Sequence, residues 1–127
     1  MKEIVIEPTK TTFGVEFNFS KGKLRFTGNS YPENAIEFFQ PLINKLKAFL
    51  KSSRKPLVVV FDVNYFNTSS SKYLFKIMEL IDEYKKRGND VQIYWHFFDG
   101  EEDMLETWRE LMNELDLEFS VVEARPL

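Results

Sequence analysis

Leu57-Val58-Val59-Val60-Phe61, then Asp62-Val63-Asn64-Tyr65-Phe66-Asn67, then Thr68-Ser69-Ser70-Ser71-Lys72, is the stretch on which the fold of this chain turns. An apolar run without alternation suits a central strand covered on both faces. The polar-spotted segment from Asp62 to Asn67 reads as the loop leaving that strand. Apolar residues then recur at helical spacing, at Leu74, Ile77, Met78, Ile81 and Tyr84, and the helix they define ends near Gly88.

Downstream, Val91 to Phe98 reads as a second strand of the same kind, and Asp99-Gly100 as a turn. A further helix turns Met104, Leu105, Trp108, Leu111, Met112 and Leu115 inward, and Leu117 to Val122 forms a last strand. Upstream, Phe13, Val15, Phe17 and Phe19 alternate with polar neighbours, Leu24 and Phe26 continue the pattern, and Lys21-Gly22 makes the hairpin turn. Ser30-Tyr31-Pro32-Glu33 has the spacing of a capping box, with Ser30 as the cap and Glu33 reaching back. The helix it opens buries Ala35, Phe39, Leu42, Ile43, Leu46, Phe49 and Leu50, with Pro41 expected to kink it rather than break it into a loop. The order is α/β: an antiparallel N-terminal part followed by β-α-β-α-β-α-β, which implies right-handed crossovers and a mixed sheet. The loops Gly28 to Asn34, Asn64 to Ser71 and Phe98 to Asp103 should then gather at the carboxyl edge of the parallel strands, where open sheets place their sites.

Composition narrows the function. The 127 residues fit one domain over residues 1–127. The 13 Phe point to a tight aromatic core. Without Cys there is no disulfide framework and no thiol chemistry. The N-terminal Met1-Lys2-Glu3-Ile4-Val5-Ile6-Glu7 lacks the apolar run of a signal peptide, and no stretch reaches the length of a membrane span, which together point to the cytoplasm and to no membrane insertion. A net charge of -3 gives no general attraction to phosphate backbones, so nucleic acid is not an expected partner. No cofactor or metal is expected. His96 is the sole His, Asp99, Glu101, Glu102 and Asp103 lack the alternation of a calcium loop, and no glycine-rich phosphate loop is present. A nucleophilic Ser would need a base within reach, which a lone strand His does not provide, so the chain does not read as an enzyme. The lysines around the end of the first helix fit a solvated C-terminal charge pattern.

What remains is the oxygen-rich cluster Asn67-Thr68-Ser69-Ser70-Ser71 at a helix start. One such side chain suffices to cap the helix, so capping alone accounts for only part of it. The surplus hydroxyls lie where the helix dipole and free N–H groups favour a phosphate, with Lys72 close in sequence. Spacing leaves capping without regulation and a phosphorylated switch both open.

The stretch Leu57 to Asp62 with Tyr65-Phe66-Asn67-Thr68-Ser69-Ser70-Ser71-Lys72, the turn Ser30-Tyr31-Pro32-Glu33-Asn34 and Asp103-Met104-Leu105-Glu106 resemble the SiaC family of bacterial regulatory phosphoproteins, across nearly the whole chain. An apolar strand leading into a hydroxyl-capped helix also resembles STAS domains, the fold of anti-sigma-factor antagonists, although Asn67 stands where those have Asp and Ser70 where they have Gly. The resemblance implies a STAS-like fold and Thr68 as phosphoacceptor, modified by a dedicated protein kinase and restored by a metal-dependent protein phosphatase. It also implies an unphosphorylated form that binds and activates a diguanylate cyclase, raising cyclic di-GMP and favouring biofilm or aggregation. The expected docking surface comprises Tyr31, Pro32, Glu33, Asn34, Tyr65, Asn67, Ser69, Ser70, Ser71 and Lys72. A constitutive interaction domain and a small-ligand or nucleotide domain using the same edge are the competing classes.

Overall fold

Alternation in the N-terminal segment becomes a hairpin because its two faces differ: Val15 and Phe17 are inaccessible while Glu16 between them is exposed. The computed structural model describes residues 3–124. In chain order the elements are β1 (Ile4–Ile6), β2 (Gly14–Asn18), β3 (Lys23–Ser30), α1 (Ala35–Ser52), β4 (Leu57–Phe66), α2 (Thr68–Lys86), β5 (Val91–Phe98), α3 (Glu102–Asn113) and β6 (Ser120–Ala124). The strands form one six-stranded sheet in the order β1-β2-β3-β4-β5-β6, antiparallel up to β3 and parallel from there on. The hairpin turn falls at Gly22, where φ is +66° and a Cβ would run into the Pro56 carbonyl oxygen. The Gly22 carbonyl in turn accepts from Val58 N–H at 2.8 Å, which fixes the hairpin to the start of β4.

Parallel strands that follow one another in chain order, joined by right-handed crossovers, carry all their helices on one face. Burial agrees. Leu57, Val59, Phe61 and Val63 of β4 belong to the core, whereas Val58 and Asp62 are half-buried and Asn64 is exposed. The expectation that β4 is covered on both faces is therefore corrected. Its unbroken apolar run arises because Val60, on the open face, lies between Arg25 and Tyr94, its register partners on the two neighbouring strands, and is itself 9% exposed. The open face also carries Asp62, paired with both Arg25 and His96.

Three further boundaries differ from expectation. Asp62 to Phe66 is strand, not loop. The register steps from Gly28↔Val63 to Asn29↔Tyr65, so Asn64 is an extra residue in β4, a bulge that reverses the alternation and turns Phe66 inward after Val63. Ser30 does not cap α1: it ends β3, fully buried, and the cap is Asn34, whose Oδ1 accepts from Glu37 N–H at 3.2 Å. The strand extension explains this, because Ser30 is held in register with Phe66 and the helix can begin only after Pro32. The final strand starts at Ser120 rather than Leu117, since Asp116 takes a left-handed φ of 55° as α3 ends and Leu117 is used in the core instead. α1 continues through Pro41 without a loop. Pro41 and Glu37, whose carbonyl it leaves without its usual partner, are both exposed.

The aromatic residues join the layers. Phe26 stacks on Phe61 at 5.1 Å, Phe61 meets Trp108 of α3 at 4.4 Å, and Trp108 stacks on Trp95 of β5 at 4.9 Å. Phe39 of α1 stacks on Tyr73 of α2 at 5.4 Å. Because Trp108 is wholly buried and α3 has few other fully buried residues, truncation to Ala should cost about 3–5 kcal/mol. Urea unfolding of Trp108→Ala, followed by far-UV circular dichroism, will show that loss as a lower midpoint.

Candidate functional site

The parallel strands deliver three loops to one edge, and hydrogen bonds and an aromatic contact join them. Asn67 N–H donates to Ser30 O at 3.0 Å, linking the β4–α2 junction to the end of β3. Asn64 Nδ2 donates to Glu101 Oε2 at 3.3 Å, linking β4 to the acidic turn. Across the first two loops Tyr31 and Tyr65 pack edge to face, ring centroids 6.1 Å apart. They are 37% and 45% exposed, and Ile36 in the first turn of α1 is 53% exposed, so this edge presents apolar surface to solvent. The bulge at Asn64 is what places Tyr65 outward, one residue before buried Phe66.

The oxygen-rich cluster separates into distinct jobs. Asn67 is the cap of α2, its Oδ1 accepting from Ser70 N–H at 2.9 Å, while its carbonyl accepts from Ser71 N–H at 2.9 Å. Ser70 is fully buried: its hydroxyl donates to Ser30 O at 3.0 Å and lies 2.7 Å from Ser30 Oγ. Ser70 is thus withdrawn from the docking surface expected of it, because the first turn of α2 packs directly over the end of β3. Ser71 is half-buried and its hydroxyl donates to Thr68 O at 2.8 Å. Thr68 and Ser69 are exposed, and Thr68 is the first residue of the helix. Unlike α1 and α3, α2 has no acidic residue in its first turn, so its N-terminal dipole end has no anionic side chain beside it.

Of the remaining docking candidates, Glu33, Asn34 and Lys72 are exposed and Pro32 is half-buried. Asn34 serves as the α1 cap, and Lys72 Nζ lies 5.9 Å from the Tyr73 ring centroid. Among the described residues, no three His, Asp or Glu side chains converge as a metal site, so Asp99, Glu101, Glu102 and Asp103 do not gather round one point. His96, with Tyr94 on the open sheet face, is engaged by Asp62 and lies away from the hydroxyl cluster. No helix among the described residues is long and apolar enough to cross a membrane. Two features escape the sequence pattern: the burial of the Ser30 and Ser70 hydroxyls, and the outward pairing of Tyr31 with Tyr65. The one available signal was the break in alternation between Val63 and Phe66.

Chain-order strands and a one-sided helix layer together define a small mixed α/β domain with a hydroxyl-bearing edge. The model of the SiaC family of regulatory phosphoproteins matches residues 6–124, and the chain belongs to that family. It is 30% identical over 121 residues to an uncharacterised protein of Pseudomonas aeruginosa (strain UCBPP-PA14), covering 95% of this chain and 96% of that protein. Among solved structures, apo-SiaC from Pseudomonas aeruginosa superposes with a TM-score of 0.87 at 29% identity, covering 96% of this chain and 99% of that one. The crystal structure of the Pseudomonas aeruginosa diguanylate cyclase SiaD in complex with its activator SiaC also matches, with a TM-score of 0.88 at 29% identity over 95% of this chain and 99% of the matched chain.

Replacing the cap side chain tests the local geometry. Asn67→Ala should cost about 1 kcal/mol, within the usual 0.5–2 kcal/mol for a lost N-cap. Hydrogen exchange should speed up first at the Ser70 amide.

Proposed function

We propose that this chain is a docking activator controlled at Thr68. With Thr68 unmodified, the edge formed by Tyr31 to Asn34, Tyr65 and the start of α2 binds a diguanylate cyclase and raises cyclic di-GMP output. A protein kinase transfers a phosphoryl group from a nucleoside triphosphate to Thr68 Oγ1, and a metal-dependent phosphatase hydrolyses it back to the free hydroxyl and inorganic phosphate. The observation that carries this reading is the exposure of Thr68 at the head of α2, three residues after Tyr65 of the paired exposed tyrosines. Support comes also from the solved complex in which a SiaC is the activator of the cyclase SiaD. The chain's own role is binding and control, with the chemistry supplied by its partners.

The switch is electrostatic. A phosphate adds about -1.5 to -2 charges at neutral pH. At the head of α2 it is held by free N–H groups of the first turn and lies within reach of Lys72, one turn along. The same edge carries exposed Glu33 and the acidic turn tied to Asn64 through Glu101, so the added negative charge joins a surface that is already acidic, and docking would have to remove it from water. Local stabilisation of the helix start and loss of docking therefore go together.

Three outcomes are expected. Phosphopeptide mapping after incubation with the cognate kinase finds the added mass on Thr68; a modified peptide lacking Thr68 would defeat the assignment. Thr68→Ala retains partner binding and escapes the kinase, whereas Thr68→Glu weakens binding by about tenfold or more, ~1.4 kcal/mol, in titration calorimetry against the cyclase. Tyr65→Ala removes an exposed aromatic anchor and lowers affinity by at least about tenfold without changing the far-UV spectrum.

A further inference from the structure

The Ser30 carbonyl and the Tyr31 N–H belong to one peptide unit, which is planar, so neither group can turn without the other. The carbonyl accepts from Asn67 N–H at 3.0 Å and from the Ser70 hydroxyl at 3.0 Å. With the Ser70 hydrogen committed there, the Ser30 hydroxyl donates to Ser70 Oγ at 2.7 Å, and both side chains are fully buried. On the other side of the same unit, Tyr31 N–H donates to Thr11 O at 2.8 Å, and Thr11 sits in a turn tied by the Thr9 and Thr12 hydroxyls. Two donors from the start of α2 and one acceptor from the β1–β2 connection thus hold a single plane, and the next side chain along is Tyr31, packed on Tyr65.

We propose that the Ser30–Tyr31 peptide is the relay by which the charge state of the α2 start reaches the docking loop, with Ser70 as its positioning residue. Phosphate oxygens on Thr68 compete for the Ser70 N–H, the one first-turn amide that the Asn67 side chain caps. Asn67 is bonded at both ends, its Oδ1 to Ser70 N–H and its own N–H to Ser30 O. Displacing that cap shifts both groups that hold the carbonyl, tilts the plane and moves the Tyr31 ring against Tyr65. Ser70 touches neither phosphate nor partner; it acts through the peptide. The docking loop is therefore altered in shape as well as in charge, and a buried hydroxyl inside the cluster has a function distinct from the exposed one at Thr68.

This inference rests on Thr68 as the modified residue, and its test avoids the kinase. Phosphothreonine is installed at position 68 during translation, and amide chemical shifts of Tyr31, Glu33 and Asn34 are compared with those of the unmodified protein. The parent should show clear shifts at these amides. In Ser70→Ala they should fall at least about twofold while those at Ser69 persist, as a double-mutant comparison isolates coupling from proximity. Ser70→Cys, which keeps the side-chain shape at slightly larger size but donates weakly, should lie between the two, and Ser30→Ala, which keeps the bond from Ser70 to the carbonyl, should stay near the parent. A purely structural Ser70 would lower stability and leave the loop shifts at parental size in both Ser70 variants, and that result would overturn the relay. A kinase product mapped to another residue would remove Thr68 as the natural input, but the coupling measured with installed phosphothreonine would still decide the relay.

Discussion

The parallel pairing of β3 with β4 is the constraint on which the rest of the structure depends. It starts where Gly22 and Pro56 approach too closely for any side chain and runs to Ser30 opposite Phe66. Everything at the carboxyl edge follows from where that ladder stops. α1 begins only after Pro32, α2 begins with Asn67 alone between it and the end of β4, and the two junctions are adjacent in register. A ladder of eight matched pairs with one bulge leaves little freedom in where Asn67 sits, because its N–H is already claimed by Ser30. Thr68 is thus positioned from strand pairing, and only secondarily from helix propensity.

The edge also carries an electrostatic bias. Glu33 and the Glu101–Asp103 turn are acidic, while Lys51, Lys85, Lys86 and Arg87 cluster at the far ends of α1 and α2, where they complement the helix dipoles. A chain with a modest net charge of -3 therefore presents distinct poles. Adding negative charge at the α2 start deepens an existing gradient. Fields of this kind act chiefly on encounter rates and partner choice, so association with a partner should depend on ionic strength.

Much of this architecture was legible in the sequence because local pattern and final structure agree. The hairpin phenylalanines, the apolar stripe of α2 and the Trp108 stripe of α3 each state their period without help from distant residues. The parallel order was legible too, from alternation of strand and helix. The misreadings share a cause, which is register. Asp62 to Phe66 looked like a loop because a bulge inserts Asn64 and scrambles the two-residue period. Ser30 looked like a helix cap because it is a good one locally, but strand pairing claims it first. β4 looked doubly covered because flanking side chains from neighbouring strands, absent from any local window, shelter Val60. At the site, Thr68 was distinguished by resemblance rather than by spacing, since Thr68, Ser69 and Ser70 differ only in which way a helix of known register turns them.

The sheet order has a consequence for how the molecule is made. No strand inserts between two earlier ones, so each strand leaving the ribosome finds its neighbour already present, and the sheet can grow by addition at a single growing edge. Crossover closures are still slow relative to hairpin formation, so the β1–β3 meander should form early and wait as a template. The first two loops of the hydroxyl-bearing edge are in place once α2 has docked, before β5 and α3 are added. The last third of the chain then closes the aromatic core and contributes the acidic flank. A nascent chain therefore holds Thr68 in native surroundings before the domain is finished.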